Sequence, residues 1–263
     1  MDRNRESEEP FEKYLEEAEK ASFSGWDFGY LTHTRRMVEA PLKWNYFNVV
    51  LPYIMNAESL LDMGTGGGEV LSAFSPLPST TFATEQYKPN VEVARKKLGP
   101  LGVKVFEIEE EDSPPYNTDL PFEDDFFDLI INRHEAYYPP ELYRILKSGG
   151  IFITQQVGGN TNRNLIEFLT GEPPRYSRWN LESAAAELEA AGFSIVQQQE
   201  DTQFYRFYDI GAIFYLLKAI PWTIEDFSVE RYRVKLRELH LKINADGYYD
   251  TPQHRFIIVA RKA

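Results

Sequence analysis

The chain has 263 residues, of which 43% are hydrophobic and 14% aromatic, enough for a sizeable core and too many for global disorder. It carries 41 acidic against 28 basic residues, and a net charge of −13 disfavours binding to the phosphate backbone of nucleic acids. It has no cysteine, which excludes disulfides, thiolate metal ligands and cysteine nucleophiles.

The targeting features are few. No run of about 18 apolar residues occurs, so we expect no transmembrane helix. Residues 1–20 are acidic without an apolar stretch, which argues against a secretory signal, and we expect a cytoplasmic protein. The four histidines lie far apart without ligand spacing, so no metal site is expected; they are His33, His134, His240 and His254.

The pattern of the first 55 residues predicts helices. Residues 1–20 indicate a charged helix or a partly ordered lead-in, and an aromatic-rich stretch follows. Within that stretch Pro41 is a suitable first residue of a helix, and three apolar side chains would share its buried face: Trp44, Phe47 and Leu51. We expect residues 1–55 to form an N-terminal helical lid or extension.

From Ser59 onward, strand patterns alternate with helical patterns. The predicted strands are 59–62, 81–85, 103–108, 127–131, 151–157, 193–197 and 254–260. The predicted helices between them are 69–74, 89–98, 140–146 and 181–191. This alternation predicts an α/β protein with a parallel sheet covered by helices on both faces.

One segment interrupts the alternation. Residues 204–246 contain two helical stretches, 208–219 and 229–243, on either side of Ile220-Pro221-Trp222. They predict a helical cap inserted before the last strand of a main domain that spans residues 56–263.

Acidic residues are concentrated between Glu107 and Asp128, a stretch with ten carboxylates and no Lys or Arg. Two interpretations remain open: a solvated loop, as charge runs usually are, or a rim that favours a cationic or amine-bearing substrate.

A glycine-rich turn, Asp62-Met63-Gly64-Thr65-Gly66-Gly67-Gly68, follows the first of these strands. Such turns bring backbone N–H groups close to a bound cofactor. The dinucleotide fingerprint would require a third glycine where Glu69 stands, which disfavours a dehydrogenase, and the Gly-x-x-x-x-Gly-Lys phosphate loop is absent. The spacing here is Asp62-x-Gly64-x-Gly66-x-Gly68.

That spacing resembles the first motif of class I, Rossmann-like, S-adenosylmethionine-dependent methyltransferases, within the type 11 or small-molecule group. Glu85, at the end of the second strand, resembles the family's ribose-binding carboxylate. Two further segments are similar to the family's "LPF … FD" and "E-x-x-R-x-L-K-x-G-G" patterns, Leu120 to Ile130 and Glu141 to Gly150. With Leu188 to Phe193, the resemblance covers about residues 59–200.

The resemblance implies a three-layer fold with a seven-stranded, mainly parallel sheet whose last strand, residues 254–260, is antiparallel. It implies S-adenosylmethionine, with S-adenosylhomocysteine as its product, bound at the carboxyl ends of the strands. The cofactor-binding residues that it implies are Asp62, Gly64, Thr65, Gly66, Gly68, Glu85, Gln86, Asp119 and Asn132. In the family, an acidic or polar residue after the third strand lies near the adenine amine. The stretch before Leu120 is longer here than in the family, which puts in doubt that Asp119 is this residue.

The methyl group of a sulfonium is already activated, so a general base is needed only if the acceptor carries a proton. His134, just after the fourth strand, is the candidate base, with a histidine hydrogen-bonded to nearby backbone as the alternative. Candidate substrate residues are Arg35, Tyr137 and Trp222.

We therefore expect a methyltransferase acting on O, N or C of a small molecule, with no nucleic acid or membrane partner. An RNA or protein methyltransferase and a non-catalytic cofactor-binding protein remain the alternatives, and the oligomeric state stays open.

Overall fold

A computed structural model describes residues 3–23, 28–109, 115, 117 and 119–263, with side chains from residue 10 onward. The chain divides into two compact units. The first unit comprises residues 1–41, 159–177 and 202–254, and the second comprises residues 42–158, 178–201 and 255–263. The glycine turn lies in the second unit.

The strands form one mixed sheet in the order β1-β7-β8-β6-β5-β2-β3-β4. Their bounds are β1 Met37–Glu39, β2 Ser59–Met63, β3 Thr80–Glu85, β4 Lys104–Glu107, β5 Phe127–Arg133, β6 Leu146–Val157, β7 Phe193–Phe207 and β8 Tyr249–Lys262. Pairing is parallel between β2 and β3, β3 and β4, β2 and β5, and β5 and β6. It is antiparallel between β6 and β8 and between β1 and β7.

The mainly parallel sheet and the antiparallel last strand are confirmed, whereas the strand number is eight instead of seven. The additional strand, β1, has three residues, of which only Met37 is buried, so it leaves no alternating pattern in the sequence. Strand β2 lies between β3 and β5, which follow it along the chain, so the strand order reverses there. Ligands in open α/β sheets bind beside such a reversal, at the carboxyl ends of the strands.

The helices are α1 Arg3–Lys20, α2 Gly29–Thr32, α3 Tyr46–Ile54, α4 Glu69–Ser72, α5 Lys88–Leu98, α6 Pro139–Ile145, α7 Arg163–Thr170, α8 Leu181–Ala190, α9 Ile210–Ala219 and α10 Val229–Asp246. Short 3₁₀ turns span Gly99–Leu101 and Pro221–Thr223. The helices predicted between the strands are present, and α9 and α10 lie between β7 and β8 as expected of the insertion. Among the helices described, none is long and apolar enough to cross a bilayer.

Helix α3 corrects one expectation. The prediction that Pro41 opens this helix is wrong, because Asn45 caps it and accepts a hydrogen bond from the Asn48 backbone N–H at 3.2 Å. The buried face consists of Tyr46, Val50 and Ile54, four residues apart, while Phe47 and Leu51 are exposed.

The core of the second unit has two layers, one on each side of the sheet. Neighbouring residues of β2 enter different clusters, Leu60 in one and Leu61 in the other. The same alternation separates Leu129 from Ile130 on β5. Because successive side chains of a strand point to opposite faces, these strands are buried on both sides, which confirms the three-layer arrangement.

The first unit is mainly helical, and it also contains β1 and parts of β7 and β8. Its buried cluster contains most of α9, which is nearly all apolar. Asp209 caps α9 by accepting a hydrogen bond from the Ala212 N–H at 2.8 Å. Arg36 pairs with both Asp209 and Glu17, at 3.4 and 2.6 Å.

Candidate functional site

The glycine turn connects β2 to α4 and requires three left-handed backbone conformations. The φ angles are +64° at Gly64, +61° at Gly66 and +82° at Gly68. Residues with a Cβ rarely adopt such angles, which accounts for glycine at these positions. Helix α4, which follows the turn, has only four residues, Glu69–Ser72.

Glu85 ties the turn to the neighbouring strand. It is buried at the end of β3, where its Oε2 accepts a hydrogen bond from the Gly66 N–H at 2.6 Å. Its Oε1 accepts one from the Tyr87 N–H at 2.9 Å. Burial raises the pKa of this carboxyl, and the backbone hydrogen bonds lower it. Each oxygen of a carboxylate keeps a further lone pair, so Glu85 still has acceptor capacity.

Asp62 is buried at the end of β2, as the sequence predicts for an acid beside the turn. Burial raises its pKa to about 7, the Thr65 hydroxyl opposes this rise, and the Glu85 carboxylate adds to it. Burial and Asp62 also raise the pKa of the Tyr46 hydroxyl. The guanidinium of Arg133 lies 5.9 Å from the centre of the Tyr46 ring.

Glu135 is a third carboxyl at this edge, and no motif in the sequence indicates it. A Cβ added to Gly64 would lie 2.5 Å from Cγ of Glu135, so the Glu135 side chain lies directly on the turn. Burial, followed by the charge of Glu85, raises the pKa of Glu135 to about 7. Within the described residues, no three acidic, histidine or cysteine side chains are grouped to hold a metal ion.

The loop before Leu120 reaches this edge through Asn117. Its amide Nδ2 donates to the Ala136 carbonyl at 2.8 Å, and its Oδ1 accepts from Gln86 Nε2 at 3.3 Å. Asn117 is buried with a φ of +58°, a conformation that asparagine adopts more readily than most residues. Asp119 is exposed, and residues 110–114, 116 and 118 lie outside the described residues.

Asn132 belongs to a buried polar network between β5 and β6. Its Oδ1 accepts hydrogen bonds from Thr154 Oγ1 at 2.9 Å and Gln156 Nε2 at 2.7 Å. Gln156 also donates to the Glu135 carbonyl at 2.9 Å. The network therefore positions the residues that follow β5.

His134 lies in a strained conformation with φ +69°, and its backbone N–H donates to the Gln155 carbonyl at 2.8 Å. Its ring Nε2 is 3.2 Å from Gln155 Nε2, and Gln155 Oε1 accepts from Trp44 Nε1 at 2.9 Å. His134 is exposed. Desolvation and the charges of Arg255 and Arg133 hold its pKa well below the ordinary value.

The candidate substrate residues are divided between the units. Tyr137 lies in the second unit, half-buried, with its ring centre 5.1 Å from that of Phe152. Arg35 and Trp222 lie in the first unit, and both are exposed. Their role in substrate binding stays a prediction.

The residues at this edge fit a polar nucleoside-like ligand. Among the described residues at this edge, three buried polar atoms lack a hydrogen-bond partner: the hydroxyls of Tyr46 and Tyr137 and the amide nitrogen of Asn132. Buried polar groups are almost always paired in folded proteins, so such atoms beside a glycine turn are what a bound ligand would satisfy.

Comparison with known proteins agrees with this geometry. Residues 61–154 match the family described as "Methyltransferase domain". Over these residues the chain is similar to methyltransferase domains. A stretch of 101 residues is 32% identical to the uncharacterized methyltransferase YcgJ of Bacillus subtilis, and covers 36% of this chain and 38% of that relative.

Two solved structures share the fold of this chain. The structure of YcgJ covers 82% of this chain and 97% of its own, with a TM-score of 0.55 and 20% identity. A functionally unknown protein of Deinococcus radiodurans covers 90% of this chain and 100% of its own, with a TM-score of 0.56 and 14% identity. At these identities the likeness concerns the fold.

Proposed function

We propose that this protein transfers a methyl group from S-adenosylmethionine to a small-molecule acceptor. The observation that carries the proposal is the bond between Glu85 and the Gly66 N–H, which holds an acidic side chain and the glycine turn together at the reversal of strand order. The family match over residues 61–154 supports the same reaction class.

Different residues of the chain would bind different parts of the cofactor. Glu85 would accept hydrogen bonds from the ribose hydroxyls, as the class I resemblance implies, and Gln86 and Asn117 lie beside it. Gly64, Thr65, Gly66 and Gly68 would line the ligand with backbone and one hydroxyl. When bound, the cofactor supplies an activated methyl group, so the protein mainly provides position and a site with little water.

The acidic character of this edge favours a cationic ligand over a phosphate-bearing one. Asp62 and Glu135 each interact electrostatically with Glu85, and phosphate groups would be repelled by any of the three that is ionised. This supports a small-molecule acceptor over RNA, while Arg35, Tyr137 and Trp222 remain its proposed contacts.

Isothermal titration with S-adenosylhomocysteine tests cofactor binding. Glu85→Ala removes charge-assisted hydrogen bonds and is expected to weaken binding roughly 10- to 100-fold, and Gly66→Arg is expected to abolish it. Glu107→Ala is the matched control, because Glu107 is the sheet partner of Glu85 at the end of β4 and is exposed. No heat with the wild type, or an equal loss in Glu107→Ala, would refute the proposal.

The acceptor class requires a second measurement. The protein is incubated with a cell extract and with S-adenosylmethionine that carries a radiolabelled methyl group. The label is then measured in the small-molecule, RNA and protein fractions. Label in the small-molecule fraction is expected. Label in RNA or protein would identify the alternative class, and binding without transfer would identify a non-catalytic cofactor-binding protein.

A further inference from the structure

Three side chains of the second unit form a hydrogen-bonded chain that ends at the candidate catalytic histidine. The indole Nε1 of Trp44 is 2.9 Å from Gln155 Oε1. The other end of the same amide, Gln155 Nε2, is 3.2 Å from His134 Nε2. Trp44 and Gln155 are 9% and 4% exposed, so solvent has little access to the bond between them, whereas His134 is exposed.

The direction of this chain follows from which atoms can donate. An indole N–H only donates, so the amide atom that faces Trp44 has to be the oxygen. The amide nitrogen of Gln155 therefore faces His134, and an amide nitrogen also only donates. Nε2 of His134 must then be the acceptor, which leaves the ring proton on Nδ1.

The surroundings of the ring support the same protonation state. Gln155 holds both the backbone N–H of His134 and its ring, so the left-handed residue is fixed at two points. Desolvation and the neighbouring charges of Arg255 and Arg133 lower the pKa of His134, which keeps the ring neutral. No acidic side chain is hydrogen-bonded to the ring in the part of the chain that the structure describes.

We propose that Trp44 and Gln155 are positioning residues that hold His134 as a neutral imidazole with its proton on Nδ1, a hydrogen-bond donor instead of a general base. The donor role rests on the proposed function for its partner, which is the methyl acceptor. His134 would bind an oxygen, nitrogen or sulfur lone pair of that acceptor. The site then suits acceptors that need not give a proton to His134.

Nitrogen-15 NMR of the histidine rings tests the tautomer in the free protein. In the wild type at neutral pH, Nδ1 of His134 is expected to be protonated and Nε2 to be unprotonated. The His134→Gln variant identifies its signals among the four histidines. An Nε2–H tautomer or an imidazolium in the wild type would overturn the proposal.

Two variants and a control test the origin of that tautomer. In Gln155→Glu a carboxylate accepts from Trp44 and also from the ring, so the proton is expected to move to Nε2 and the pKa of His134 to rise by about 1–3 units. Trp44→Phe frees the amide to rotate and is expected to give both tautomers. Trp179→Phe removes a different indole of the second unit, which packs on Phe256, and should leave the signals unchanged.

An unchanged tautomer in Gln155→Glu would equally refute the proposal. These spectra need neither cofactor nor acceptor, so their outcome is distinguishable from a failure to bind S-adenosylhomocysteine. As a general base, His134 would instead need an unprotonated ring nitrogen without a hydrogen-bond donor on it, and a pKa close to the working pH.

Discussion

We expect substitutions of Gly68, the last glycine of the turn, to destabilise the fold for two separate reasons, its backbone conformation and its close packing. Its φ of +82° is unfavourable for any residue with a side chain. A Cβ at this position would also lie 2.7 Å from Cγ of Leu98 and 3.0 Å from both of its methyl carbons. Leu98 is fully buried at the end of α5 and has little room to move.

The expected cost of Gly68→Ala follows from these two features. The left-handed conformation costs about 1–2 kcal/mol for an L-residue, and overpacking a core side chain costs about 1–3 kcal/mol. We therefore expect the free energy of unfolding to fall by about 2–5 kcal/mol, measured by urea denaturation.

Gly102→Ala provides the matched control. Gly102 has nearly the same φ, +81°, but no atom lies within 4 Å of an added Cβ. It should therefore lose only the conformational part, about 1–2 kcal/mol. In a Leu98→Ala background, Gly68→Ala should cost no more than this control, because the contact is gone. Equal losses in the two single glycine variants would refute the argument that Gly68 is needed for close packing.

Two further predictions concern the ionisable side chains of Glu135 and Asp209. The folded-state pKa of Glu135 is raised to about 7 from 4.5, so its contribution to stability is present below pH 4.5 and is lost as the pH rises towards 7. Glu135→Gln should flatten this decline by at most ~1.4 kcal/mol per pH unit, and an unchanged slope in urea denaturation would contradict it. Asp209→Ala removes the cap of α9 and should cost about 1–2 kcal/mol in the same assay, whereas Asp209→Asn keeps an acceptor for the Ala212 N–H and should lose less. Equal losses in the two variants would show that the cap contributes nothing.

The strands of the sheet centre could be predicted because they are buried on both faces and read as continuous apolar runs. The outer strands could not be predicted in full. β7 runs to Phe207, whereas the predicted strand ends at residue 197. The prediction stopped early because most of the middle of β7 is exposed and polar. β8 begins at Tyr249 instead of residue 254, and Pro252 within it disfavours a strand in any sequence-based prediction. Helix α7 was missed although its buried residues, Leu165, Ile166 and Leu169, have helical spacing.

Of the candidate site, the sequence could predict only the parts that are local along the chain. The turn from Asp62 to Gly68 and the acid Glu85 meet as expected, because both follow neighbouring parallel strands. Glu135 and Asn117 were missed, since their contacts join segments that are distant along the chain. The bond from Trp44 to Gln155 spans 111 residues, and no spacing rule could have indicated it.

We propose that the edge formed by the glycine turn and Glu85 binds S-adenosylmethionine. The most direct measurement is a crystal structure of the protein with S-adenosylhomocysteine. We predict that the ligand lies along residues 64–68, with its ribose hydroxyls on the Glu85 carboxylate. A ligand bound elsewhere, or a ribose that does not contact Glu85, would contradict the account.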